Sequence, residues 1–297
     1  MWLRDSANQL QSYKPLLRRN SSQASLASLF RGAINLQGRY IQQSPFCNAF
    51  QPPAESGLGE TPNGWAAQDM VRPSFDSSVV FECKYELDSL AAFLQLSHDY
   101  YQATADRAFF GRFNWTQTVR TIVETAESLR VGTYAADGKV IGAPFSFQRS
   151  ASSTTETVSN AGAGEPVNGS TGLVRSWFRP SDDSCVFQLF VPANMMFSRY
   201  LASTADIMRD FDKELAARMG ALAGSIRDGI EAHGRYRHPV FGDMYAYEVD
   251  GFGSYNAMVS FFALKFYTKS GEEKGTRETG TGSASRVRSM QIRPTKR

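Results

Sequence analysis

The run YELDSLAAFLQLSHDYYQAT, Tyr85 to Thr104, decides the fold class. Leu87, Leu90, Ala91, Leu94 and Tyr101 recur at steps of three and four, which places them on one face of a helix. Outward from it the same period returns. Residues 5–18 carry Leu10, Tyr13, Leu16 and Leu17 on one side, with Asp5 or Ser6 as the expected cap. Ser25 to Gln43 carries Leu26, Leu29, Phe30, Ala33, Ile34 and Tyr40, and Pro45 stops it. Trp115 to Leu129 is a fourth helix. A fifth begins at Pro192. A long one is expected from about Ala205 to Ala232, through Ile207, Phe211, Leu215, Met219, Leu222, Ile226 and Ile230. Phe241 to Gly253 turns into loop and short strand. Helices dominate, so the chain reads as helical hairpins around a centre, with the joining loops forming a site at one end.

Two segments interrupt the helices. Residues 44–78, rich in Pro, Gly, Asn and Ser, form a long loop; Phe46, Phe50 and Trp65 inside it argue that it is ordered and packed. Residues 149–171, rich in Ser, Thr, Gly and Asn, read as a flexible linker or a surface insertion.

The chain has 297 residues, enough for one large domain or two small ones. Its 32 Lys and Arg outnumber 29 Asp and Glu, but 9 of the former and 3 of the latter fall in residues 259–297, leaving 23 basic against 26 acidic groups in 1–258. The basic balance therefore belongs to the tail, which lacks the interleaved aromatics of a nucleic-acid binder beyond its first residues. No apolar run reaches membrane-spanning length. Cys47, Cys83 and Cys185 show no metal-ligand spacing, and either one disulfide with a spare thiol or three buried thiols fits them. Asn20, Asn114 and Asn168 open glycosylation sequons, a weak pointer to a secretory route.

The segment most suggestive of chemistry is Phe178-Arg179-Pro180-Ser181-Asp182-Asp183. Two carboxylates follow a guanidinium and a rigid proline, flanked by Leu173, Val174, Trp177, Val186, Phe187, Leu189 and Phe190. An apolar wall raises a carboxyl pKa and makes a general acid. The competing reading is that Ser181-Asp182-Asp183 caps a helix starting near Cys185.

Five segments in order carry a resemblance: Met1-Trp2-Leu3-Arg4-Asp5-Ser6, Lys84-Tyr85-Glu86-Leu87-Asp88-Ser89-Leu90, the Phe178–Asp183 run, Pro192-Ala193-Asn194-Met195, and Tyr247-Glu248-Val249-Asp250-Gly251-Phe252-Gly253. Together they resemble glycoside hydrolase family 125, the exo-α-1,6-mannosidases, and most of all its fungal, meiotically up-regulated gene 157-like members. The resemblance covers about residues 1–258.

It implies an all-α, six-hairpin (α/α)6 toroid with long loops at the active-site end. It implies inverting removal of a terminal α-1,6-linked mannose from an oligosaccharide or N-glycan, without metal or cofactor. The acid is then Asp182 or Asp183, with its neighbour orienting it or binding a hydroxyl. Trp2, Arg4, Asp5, Glu86, Asp88, Arg179, Asn194, Glu248 and Asp250 are the candidate substrate-binding residues, and Trp177 is a second candidate wall. The resemblance also implies a secretory or extracellular route for full-length relatives, and leaves the compartment of this chain open. The resemblance starts inside its first motif and fails after Met258. The expectation from sequence is therefore a toroid incomplete at both ends, a disordered basic tail over 259–297, no residue carried over as the family's general base, and a chain poorly active or inactive for that reason. A carbohydrate-binding remnant or a helical scaffold without catalysis is the alternative.

Overall fold

A computed structural model describes residues 1–257; the tail expected from residue 259 lies outside the described residues. Seven α-helices carry the described chain: α1 (Leu3–Gln11), α2 (Leu26–Gln43), α3 (Leu87–Thr104), α4 (Arg107–Phe110), α5 (Trp115–Ser128), α6 (Val191–Met208) and α7 (Lys213–His233). The helix α3 is buried on every side, against α1, α2 and α6. Its sequence explains why: Leu90, Ala91, Ala92, Phe93, Leu94 and Leu96 leave no polar stripe in its middle turns. The pair α6 and α7 packs as a hairpin on its far side, and α5 packs on α2.

Boundaries differ from the sequence reading where local chemistry intervenes. The first helix ends at Gln11 and gives way to a short 3₁₀ turn, Lys14–Leu16, because Pro15 lacks the amide hydrogen that an α-helix needs there. Its cap position is Trp2, with no side-chain hydrogen bond, rather than Asp5 or Ser6. Ser25 does cap α2, its hydroxyl accepting from Ser28 N–H at 3.1 Å. The helix expected to start near Ala205 is two elements. Asp212 breaks the run by accepting Leu215 N–H at 2.9 Å, starting α7 afresh.

Nine short strands trim the loops: β1 (Ala49–Phe50), β2 (Met70–Arg72), β3 (Val80–Glu82), β4 (Ser146–Gln148), β5 (Leu189–Phe190), β6 (Arg235–His238), β7 (Gly242–Tyr245), β8 (Glu248–Val249) and β9 (Tyr255–Asn256). They pair as β1–β3, β2–β4, β5–β8–β9 and β6–β7, all antiparallel. None forms a layer; each clasps one loop to another. In the long loop Phe50 is buried and Phe46 packs on the core, as expected, whereas Trp65 is 72% exposed. The loop is closed by a disulfide between Cys47 and Cys83, 36 residues apart, while Cys185 is a buried free thiol. In the chain-entropy model, closing a loop of that length contributes on the order of 4 kcal/mol.

The 149–171 segment is no loose insertion. Gly162 has φ +87°, and a Cβ there would meet the Phe147 backbone nitrogen at 2.7 Å. Its carbonyl accepts the Trp177 indole N–H at 3.0 Å. Glycine is required at such a crossing. Trp177 itself is fully buried, with the Arg175 guanidinium 4.4 Å over its ring and Phe145 and Tyr85 at its edges. The expectation that Trp177 walls a sugar is therefore corrected: it is a core residue.

Candidate active site

Three pieces of chain meet at the acidic doublet. The first is the start of α1, carrying Trp2, Arg4 and Asp5. The second is the start of α3, carrying Glu86 and Asp88. The third is the 178–184 turn. The second and third are laced together: Tyr85 C=O accepts from Trp177 and Phe178 N–H at 3.2 and 3.0 Å, and Ser176 Oγ accepts from Leu87 N–H at 3.1 Å. Arg4 bridges the first and third, donating from Nη2 to Pro180 C=O at 2.8 Å.

The doublet does not cap a helix. Asp182 N–H donates to Arg179 C=O and Arg179 N–H to Asp183 C=O, both at 2.9 Å, closing a tight turn with Pro180 inside it. No helix starts near Cys185; the next is α6 at Val191. Within the turn Asp182 has φ +65°, the position glycine favours and aspartate tolerates. A left-handed non-glycine residue at a site is a held conformation, and such positions concentrate where function requires them.

The two aspartates have different surroundings. Asp183 is 41% exposed, accepts the Ser181 hydroxyl at 2.8 Å and has Arg179 Nη2 at 3.8 Å. Asp182 is half-buried, and its Oδ1 is sealed from solvent with no hydrogen-bond partner among the described residues. Burial pushes its carboxyl above the usual range; Lys84 opposes this and Glu82 adds to it.

Around it stand two buried carboxyls. Glu86 is raised well above its ordinary value by burial and by the neighbouring Asp88 and Asp182. Asp88 is raised, first by burial, with Arg4 pulling the other way. Arg4 Nε lies 3.0 Å from Asp88 Oδ2 but off the axis of its N–H, so the pair attracts without an aligned hydrogen bond. Trp2 Nε1, Arg4 Nε, Glu86 Oε1, both Asp88 oxygens and Asp182 Oδ1 are all buried without a hydrogen-bond partner among the described residues. Buried polar atoms in folded proteins are nearly always paired. Six exceptions gather where the three pieces of chain meet. The Trp2 ring packs edge-on against Phe81 at 5.5 Å, forming an aromatic wall.

Asp5 is half-exposed, 3.4 Å from Arg4. Two other candidates stand behind the turn. Glu248 is buried, accepts Val186 and Phe187 N–H at 3.1 and 3.2 Å, and lies 3.7 Å from Arg179 Nε. It anchors the chain leaving the turn, and Arg179 links it to Asp183. Two further candidates are engaged by the backbone. Asn194 accepts Val174 N–H and donates to the Val174 and Phe190 carbonyls at 2.8–2.9 Å, so its fully buried amide is spent on backbone. Asp250 Oδ1 accepts Phe252, Gly253 and Ser254 N–H at 2.7–3.1 Å, shaping its own loop. Gly251, with φ +78°, lets that loop pass against Asn168 and Thr171.

Sequence reasoning passed over Lys84 as a functional side chain, and missed Glu82, Arg149 and Asp69 altogether. The available signal was alternation: Glu82, Lys84 and Glu86 stand at every second position between Cys83, Tyr85 and Leu87, which points them to one side of extended chain.

The raised carboxyls make stability pH-dependent in a definite direction. Each binds its proton more tightly folded than unfolded. Above the ordinary carboxylate value near 4, the folded state therefore holds more protons than the unfolded, and stability falls as pH rises. For Asp88 that window runs from 3.8 to about 6. We expect the melting temperature to drop between pH 5 and pH 7.5, and Asp88→Asn to flatten that drop by on the order of 2 kcal/mol. His98, whose pKa burial lowers, contributes with the opposite sign in this interval, so the comparison with the variant decides: an equal slope in Asp88→Asn would contradict the raised Asp88.

Fold and site define a class: an all-α protein of paired helices whose loops converge on a knot of carboxyl groups, as in helical glycosidases. The chain belongs to the metal-independent alpha-mannosidase family (GH125), whose sequence profile matches residues 1–260. It is 45% identical over 258 residues to the Meiotically up-regulated gene 157 protein of Schizosaccharomyces pombe, a match covering 85% of this chain and 49% of that protein. It superimposes with a TM-score of 0.73, at 26% identity, on a Streptococcus pneumoniae protein solved as a non-productive complex with α-1,6-mannobiose. That structure comes from work on metal-independent alpha mannosidases that process N-linked glycans; the match covers 86% of this chain and 56% of that one. The chain thus spans about half the length of the relatives it matches. The helical architecture expected from the 85–104 run is that of this all-α toroid fold.

Proposed function

We propose that this chain supplies the acid side of an exo-α-1,6-mannosidase site working with inversion, and that Asp182 is the general acid. The observation that carries the reading is the cluster of buried polar atoms without hydrogen bonds around Asp182, whose Oδ1 is closed off from solvent and whose pKa burial raises. In this reading Asp182 gives its proton to the glycosidic oxygen as the bond from C1 to that oxygen breaks. A water attacks C1 from the opposite face, losing its proton to a second carboxylate and leaving the β-anomer. Arg4, Asp5, Glu86, Asp88 and the Trp2 indole serve the hydroxyls of the terminal mannose through charge-assisted hydrogen bonds. Arg179, Asp183 and Glu248 hold the turn. The linkage preference is supported by the mannobiose bound to the Streptococcus pneumoniae relative.

The test is incubation of the protein with α-1,6-mannobiose, following the first-formed mannose by proton NMR. Any mannose released is expected first as the β-anomer, with the α-1,2 and α-1,3 isomers cleaved far more slowly. First-formed α-mannose would exclude inversion. Binding of the disaccharide, seen as a Trp2-dependent fluorescence change, with no hydrolysis would favour a carbohydrate-binding role instead.

A further inference from the structure

A line of buried charges runs from the long loop to the acid turn. Arg149, just past β4, clasps Asp69 with Nε at 2.7 Å and Nη2 at 2.6 Å, and the same Nη2 lies 2.7 Å from Glu82 Oε1. Glu82 Oε1 lies 3.6 Å from Lys84 Nζ. Lys84 Nζ donates to the main-chain carbonyl of Asp182 at 3.2 Å and sits 5.4 Å from the centre of the Phe178 ring. The side chains of Asp69, Arg149, Lys84 and Glu82 are only 0, 7, 7 and 10% exposed.

Burying charges is expensive, and a buried ion pair is weak evidence for stability, since apolar residues of similar volume often serve as well or better. Such a line is better explained by what it fixes. Its last contact is the carbonyl of the one residue in the turn with a left-handed backbone, and Arg4 holds the carbonyl of Pro180 two residues earlier. Two cations thus grip the same turn from different elements.

We propose that Asp69, Arg149, Glu82 and Lys84 are positioning residues: they hold Asp182 in its left-handed turn and fix the charges that its carboxyl faces. This rests on the reading of Asp182 as the acid. The charged groups facing Asp182 are Lys84 and Glu82 from the β3 segment, Arg4 and Asp5 from α1, and Glu86 and Asp88 from the start of α3. Within the line the two nearest members act with opposite signs. Lys84 favours the charged carboxylate and Glu82 the protonated acid.

That opposition is the test, because a merely structural role would not produce it. With aspartate labelled with ¹³C at its carboxyl carbon, Asp182 is identified as the resonance lost in Asp182→Asn and titrated in the whole protein. Glu82→Gln, nearly isosteric, is expected to lower the Asp182 midpoint, and Lys84→Met to raise it. In turnover, Arg149→Lys keeps the charge but not the two-point clasp, and is expected to lower kcat about tenfold with little change in KM. Midpoints that stay put, or that move the same way in both variants, overturn the proposal. The titration needs no turnover: a protein that does not cleave mannosides sinks the mannosidase reading while the shifts still decide the positioning role.

Discussion

Asp182→Asn is expected to lower kcat/KM on α-1,6-mannobiose by about a hundred- to ten-thousandfold, the usual share of a general acid. The loss should depend on the leaving group. A sugar hydroxyl is a poor leaving group and needs the proton; an activated aryl α-mannoside leaves as a stable phenolate and should lose far less. The fold should survive, because asparagine also tolerates φ near +65° and because the change removes a charge that burial disfavours. Glycine at 182 is the companion control, since it removes the carboxyl while relaxing the backbone. Asp183→Asn, at a carboxylate that is 41% exposed and already engaged by Ser181, is expected to cost about tenfold or less. The measurement is the ratio of the two losses on the disaccharide and on the aryl substrate. A larger loss at Asp183, or an equal loss on both substrates at Asp182, would move the acid to the other member of the pair.

The division between those aspartates shows where the sequence is legible. The pattern Leu87, Leu90, Ala91, Leu94 fixes a helix because burial of one face depends only on spacing. It even places Glu86 and Asp88 at the helix start. The acid turn is different. Arg-Pro-Ser-Asp-Asp is compatible with an N-cap, and whether Asp182 caps or turns depends on partners far away in the chain: Arg4, Lys84 and Tyr85. Asn194 and Asp250 carry a related ambiguity. An amide or carboxylate in a motif has the same formula whether its hydrogen bonds go to a ligand or to backbone, and only the fold shows that Val174, Phe190 and the 252–254 amides already occupy them. Trp177 looked like a sugar platform because it neighbours the turn. Its indole N–H donates instead to the Gly162 carbonyl, inside the core. Arg149 carried no signal at all, since its partners Asp69 and Glu82 are about 80 and 67 positions away.

Arg4→Met should produce the largest loss of stability, and the loss should depend on pH. Arg4 is the cation beside Asp88, it counters the rise at Glu86, and it ties α1 to the Pro180 carbonyl. Removing one partner from a buried charge group leaves the others uncompensated, a cost of about 3 kcal/mol or more. The methionine keeps the apolar stem, so lost packing contributes little. At pH 8 the carboxyls around it must be charged or must hold a proton against the solvent, and the full cost should appear in the denaturant midpoint. Near pH 4.5 Glu86 and Asp88, both raised, are already protonated in the folded protein, so the guanidinium has less to neutralise and the cost should shrink to roughly that of the Pro180 hydrogen bond, about 1 kcal/mol. Arg4→Lys should recover part of the difference at high pH, since an ammonium supplies charge but cannot reach Asp88 and Pro180 with two fixed N–H groups. A loss of the same size at both pH values would mean that Arg4 acts as a strut between helix and turn. A loss confined to high pH would mean that the site's interior carboxyls are held in check by a single cation, which a mannose ring would then join rather than replace.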